Sequence, residues 1–243
     1  MPLLPPPLPP QPPLPVRALD LGLLLVLAVA GVVALPVAVS LIWPDIDFTA
    51  LTAVLGLFVA QSLLMMGLTW LVVLRPHRLG LADIGLRPAD RGWYRLAVGV
   101  GLACVPAVAL INYALQELTG GPVDNPQLEA LAPEGFSWTS LAAMLLLVGM
   151  LVPFIEEVIF RGLVLGWLRK HLRFVYAAPI SALLFSVVHG IPDLMPALAV
   201  MGLVLAAMKE RSGSLWPSII VHGVFNALMT ITYYTALAGA AGF

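Results

Sequence analysis

The chain has 243 residues, 60% of them hydrophobic and only 10% charged, with a mean hydropathy of +1.00 and a formal charge of −1. These values lie far outside the soluble globular range and identify a polytopic membrane protein of about seven helices, at roughly 20 residues per crossing. Apolar runs without alternation exclude a closed β-barrel, the near-neutral charge points to no nucleic-acid partner, and the single cysteine, Cys104, excludes an intrachain disulfide.

Residues 1–17 form a Pro-rich tail, with nine prolines in the first 16 positions. This composition predicts an extended polyproline II segment that neither packs nor spans, and nothing in it selects a partner. A single transmembrane domain follows over 18–243, with apolar segments at about 18–43, 51–74, 95–116, 139–164, 177–191, 193–208 and 216–238. The fifth and sixth are short and separated only by Ile191-Pro192-Asp193, which predicts a tight helical hairpin or a partly re-entrant pair. The outer loop 117–137 contains Gly120-Gly-Pro122 and Asn125-Pro126, so turns and one short helical stretch are expected there.

Charge placement orients the bundle. With the N-terminus inside, the inner loops collect eleven of the twelve basic residues: Arg17, then Arg75, Arg78, Arg87, Arg91 and Arg95, then Arg169, Lys170 and Arg173, then Lys209 and Arg211. The outer loops hold no basic residue and instead carry Asp45, Asp47, Glu117, Asp124, Glu129, Glu134 and Asp193. The positive-inside rule therefore selects an all-α, seven-helix bundle, N-inside and C-outside. Ten arginines against two lysines fit a GC-rich bacterial genome, so the expected location is a bacterial cytoplasmic (inner) membrane. Trp43, Trp93, Trp138 and Trp216 fall at segment ends, where interfacial anchors are expected.

The twelfth basic residue, Arg161, lies with Glu156 and Glu157 in Pro153-Phe-Ile-Glu-Glu-Val-Ile-Phe-Arg-Gly162, inside a membrane segment. Each charge near a helix centre costs roughly 3 kcal/mol, about 9 kcal/mol gross for the three, so a function is the default explanation. On a helix Glu157 and Arg161 share a face and can pair, whereas Glu156 is rotated by about 100° and is free to act as a base. Two further motifs place polar groups in apolar helices: Phe185-Ser-Val-Val-His189, and His222-Gly-Val-Phe-Asn226. At roughly 1.5 Å rise per residue, Glu156, His189 and Asn226 come about 16–18 Å from the cytoplasmic helix ends and His222 about 10 Å. One shared pocket, reached from the cytoplasmic side, is the expectation. Gln61, Ser62, Asn112 and Gln116 read as interhelical hydrogen-bond partners.

Glu156-Glu157-x-x-x-Arg161, Phe185-x-x-x-His189 and His222-x-x-x-Asn226, in this order on successive helices, resemble the three motifs of the CPBP family. These are the CAAX-processing and bacteriocin-processing intramembrane endopeptidases, also called Abi proteins. Leu81-Ala-Asp-Ile-Gly-Leu86 resembles the segment that often precedes the family core, so the resemblance covers about 75–232. It implies peptide-bond hydrolysis of a membrane-associated peptide or protein in or beside the lipid bilayer. Glu156 would activate water and His189 would hold that water or a metal. Glu157 and Arg161 would orient the site, while His222 and Asn226 would stabilise the oxyanion. Two cofactor readings stand: zinc held by His189, His222 and Glu156, and a metal-free glutamate–histidine mechanism on the same residues. The alternatives to an enzyme are an immunity or scaffold protein and, against the clustering of polar groups in the last four helices, a proton-coupled transporter.

Overall fold

The computed structural model describes residues 4–123, 125, 132 and 135–241. Asp124, Glu129 and Glu134, and the short helical stretch expected in their loop, fall outside these residues. Among the described residues the chain is all-α, in keeping with a bilayer that leaves backbone groups no partners but their own. Seven helices run as α1 (Ala18–Ile42), α2 (Leu51–Leu74), α3 (Arg91–Thr119), α4 (Trp138–His171), α5 (Phe174–Val188), α6 (Met195–Ser212) and α7 (Leu215–Ala241). Six are long and apolar enough to cross a membrane. The exception is α5, whose 15 residues span about 22 Å against a hydrocarbon core of about 30 Å.

α4 and α7 form the centre. α7 packs along α3 and against α4, α5 pairs with α6 as the expected hairpin, and α1 joins the assembly through α2. Close approach of α4 and α7 depends on two glycines. A Cβ on Gly223 would meet the Gly149 carbonyl oxygen at 2.6 Å, and one on Gly149 would meet the Ala227 Cβ at 3.3 Å. Small residues are the usual means by which membrane helices approach, because lipid supplies no hydrophobic drive between them. Gly223→Ala is therefore expected to push α7 off α4 and destabilise the bundle by about 1–3 kcal/mol, a loss that thermal unfolding in detergent would register.

The α5 helix stops earlier than its apolar run suggests. It ends at Val188, with Gly190 left-handed at φ 69° and Pro192 unable to continue the helix, so His189 caps the helix instead of lying within it. The Ser186 hydroxyl donates to the Met195 carbonyl at 2.8 Å and ties the hairpin across this turn.

The tail differs most from expectation, because it packs. Leu14 and Val16 are buried with Leu74, Ile84, Val158, Leu163 and Leu215 in one apolar cluster at the basic end of the bundle. The Leu8 amide donates to the Ser212 carbonyl at 2.9 Å, Gln11 donates to the Ala82 carbonyl at 2.7 Å, and Arg87 donates to the Pro9 carbonyl. Prolines keep the backbone extended and leave its carbonyls free to accept, so the leucines between them supply the contact area. Trp93 is correspondingly no lipid anchor. It is 1% exposed beneath the tail, and its indole N–H donates to the Pro6 carbonyl at 2.9 Å. Trp43 and Trp138 do face outward.

Candidate active site

The charged motif divides by helical phase. Glu157 and Arg161 are fully buried, and Arg161 Nη1 lies 3.0 Å from Glu157 Oε1. Glu156 keeps a quarter of its side chain exposed and lines a cavity of about 250 Å³. One carboxylate is thus sealed into a structural pair and its neighbour faces open space. The Arg161 guanidinium also stacks over the Phe185 ring at 4.3 Å and donates to the Gly202 carbonyl at 3.4 Å.

Phe185 organises both imidazoles. Its ring lies edge-on to His189 at 4.7 Å and to His222 at 5.8 Å, and it is 0% exposed. The His189 Nδ1–H donates to the Phe185 carbonyl at 2.7 Å, which leaves the Nε2 lone pair 3.8 Å from Glu156 Oε1. His222 Nδ1 lies 3.1 Å from Glu157 Oε1, so with Glu157 ionised this nitrogen carries the proton and Nε2 faces Glu156 Oε2 at 3.6 Å. Glu157 therefore holds two partners, Arg161 and His222. The i, i+4 spacing announced only the first. The second pairing crosses from α4 to α7 and leaves no trace in either local sequence.

His222 stands level with Glu156, although counting residues from the helix ends separates them by about 6–8 Å. The ends are not level. α7 begins three residues after α6 stops and is drawn inward, with the Leu215 amide donating to the Gly85 carbonyl at 2.8 Å.

Asn226 is committed elsewhere in part. Its Nδ2 donates to the Val148 carbonyl at 3.1 Å. The cause is in α4, which passes through wide π turns at Leu147–Leu151 and Val158–Val164, on either side of Pro153. In a π turn the Val148 carbonyl would accept from the amide five residues on, but that residue is Pro153, which has none. Asn226 fills the gap with one amide proton, keeps the other, and lines the cavity. Of the six residues singled out from the sequence, Glu156, His189, His222 and Asn226 line one cavity, and Glu157 and Arg161 stand behind it.

The cavity has polar members that the motifs did not indicate. Asn112 lines it from α3, and its buried Oδ1 has no hydrogen-bond partner among the described residues. Asn125 lines it too, with an Oδ1 in the same condition. Gln61 does bridge helices, donating to the Val32 carbonyl at 3.5 Å. Most of the lining residues, Phe58, Val108, Asn112, Leu194 and Ala197 among them, lie in the part of the bundle nearer the acidic loop.

Two neutral imidazoles and a carboxylate would suit zinc chemically. As placed, each imidazole faces a different oxygen of Glu156, and among the described residues no three His, Cys, Asp or Glu side chains are gathered as metal ligands. The carboxylate and the two imidazoles surround a gap wider than a hydrogen bond, which one water molecule can fill by donating to Glu156 and to an unprotonated imidazole nitrogen.

Residues 138–228 match the family model described as "Type II CAAX prenyl endopeptidase Rce1-like". The matched stretch includes all six candidate residues and leaves out α1 to α3, the tail and Leu81–Leu86. Over 88 residues the chain is 28% identical to YdiL of Bacillus subtilis (strain 168), named provisionally as a membrane peptidase. That alignment covers 36% of this chain and 36% of the relative, so the similarity spans about a third of each. No solved structure matches.

Proposed function

We propose that the protein is a membrane endopeptidase of the CPBP type, in keeping with the match of residues 138–228 to the Rce1-like model, and that it hydrolyses peptide bonds of membrane-associated substrates with water activated by Glu156. The observation that carries the reading is the convergence of His189 Nε2 and His222 Nε2 on the one exposed carboxylate of the charged motif, at 3.8 and 3.6 Å. A scaffold or immunity protein needs no such convergence, and a proton relay would continue into a chain of further titratable groups. Among the described residues the cavity holds no other ionisable side chain.

In the proposed step, water between Glu156 and the imidazoles gives its proton to Glu156 as its oxygen attacks the scissile carbonyl carbon. The carbonyl π electrons move to oxygen. The free amide proton of Asn226 stabilises that oxyanion, joined by His222 when Nε2 has taken a proton from solvent beforehand, a charge that Glu157 balances at Nδ1. Collapse of the tetrahedral intermediate expels the amine, which takes the proton held by Glu156. His189, fixed by its bond to the Phe185 carbonyl, positions the water and need not change protonation. Glu157 and Arg161 position His222 without touching substrate.

The test is cleavage of a quenched-fluorescence peptide library by the detergent-purified protein and its Glu156→Gln variant, with metal analysis of both. Cleavage by the wild type alone is expected, and equal cleavage by both would overturn the assignment of Glu156. Cleavage that survives a strong chelator is the outcome of the metal-free mechanism. Chelator inhibition reversed by zinc would instead assign a metal to His189, His222 and Glu156.

A further inference from the structure

Resting on the peptidase reading, we propose that substrate reaches Glu156 from the acidic-loop end of the bundle, and that its class is membrane-anchored peptides whose scissile bond lies towards the non-cytoplasmic face. On α2, α3, α5 and α6 the cavity occupies the half remote from the basic loops, and along α7 it crosses the middle of the helix, from His222 to Thr230. Along α4 it ends at Glu156, 15 residues or about 22 Å short of the basic terminus at His171. On α6 it takes only Ala197, Leu198 and Met201, in the first two turns after the hairpin. Asn125, beyond the end of α3, and Leu194, in the turn before α6, belong to its wall.

The opposite end carries a separate cavity of about 600 Å³ between the tail and Arg87, Arg169 and Lys209, and it does not include Glu156 or either imidazole. Between the site and the basic loops lies the apolar cluster of Val158, Leu163, Leu215 and Ile219, capped by Leu14 and Val16 of the tail. A peptide coming from that side would have to displace this core. From the acidic-loop side it meets the carboxamides of Asn112 and Asn125, whose buried oxygens have no donor among the described residues and would accept N–H groups of an extended backbone. The basic residues Arg87, Arg169, Lys170 and Arg211 assign the far end to the cytoplasm, so the Glu156 cavity lies towards the other face.

The experiment uses the full chain with Cys104→Ala, reconstituted in sealed vesicles sorted by orientation. Three single-cysteine variants are compared with a membrane-impermeant maleimide: Met229→Cys in the cavity wall, Thr119→Cys marking the acidic end and Lys170→Cys marking the basic end. Met229→Cys is expected to label from the Thr119→Cys side at least about 10-fold faster than from the other. Labelling from the Lys170→Cys side, or from neither side when the detergent-solubilised variant reacts fully, would overturn the proposal. Labelling needs no catalysis, so the result is independent of the peptidase reading, which stands or falls on cleavage by the wild type against Glu156→Gln. Anchored reporters presenting the best library peptide on one face or the other add the substrate arm: cleavage confined to the Thr119→Cys side is expected, and cleavage confined to the other side would overturn the substrate class.

Discussion

Glu156→Gln is expected to lower kcat for peptide cleavage by about 10²–10⁴-fold, the usual contribution of a positioned general base, with little change in KM. The substitution keeps the shape of the side chain and removes only its ability to take a proton, and the position is partly exposed to the cavity, so folding should be unaffected. Initial rates at saturating peptide, normalised to folded protein by size-exclusion profile, measure it. A fall below about 10-fold would mean that another group activates the water.

The largest effect on stability is expected at Arg161. Arg161→Leu leaves Glu157 buried with its main counter-charge gone, a defect that typically costs about 3–5 kcal/mol. The variant should unfold at markedly lower temperature in detergent. The double variant Glu157→Leu/Arg161→Leu removes both charges and should regain most of that loss, since a buried pair is commonly replaceable by apolar residues of similar volume. Activity should not return with it, because His222 Nδ1 loses the carboxylate that fixes its tautomer. Thermal unfolding and cleavage rate, measured on the same preparations, separate the two effects. Recovery of both in the double variant would show that Glu157 serves stability alone.

What was legible in the sequence follows the range of the interactions. The split of Glu156 from Glu157 was readable because helical phase decides it within one turn, and the wide turn after Glu157 still lets Arg161 reach back to it. The seven helices were readable because lipid permits little else. The common level of Glu156 and His222 was not, because it depends on where α7 starts relative to Gly85, a contact 130 residues apart in the chain. The carbonyl that Asn226 binds was hidden for a related reason: a proline announces a missing donor, but only the turn width says which acceptor goes without. The tail misled because its prolines predict conformation correctly and say nothing of whether Leu14 and Val16 find a groove. That Asn112 faces the cavity with an unsatisfied oxygen was not readable, because satisfaction is a property of surroundings and not of residue type.

The wide turns of α4 have a further consequence for how the helix can vary. Each amounts to one extra residue in a turn, which shifts everything beyond it by about 100° around the axis. The stretch from Trp138 and the stretch carrying Glu156 therefore follow two different helical clocks, set against each other at Leu147–Leu151. The outer part can change its sequence, and so the lipid or substrate face it presents, without turning the carboxylate away from the imidazoles. The face that carries Glu156 is indexed to Pro153 rather than to the start of the helix.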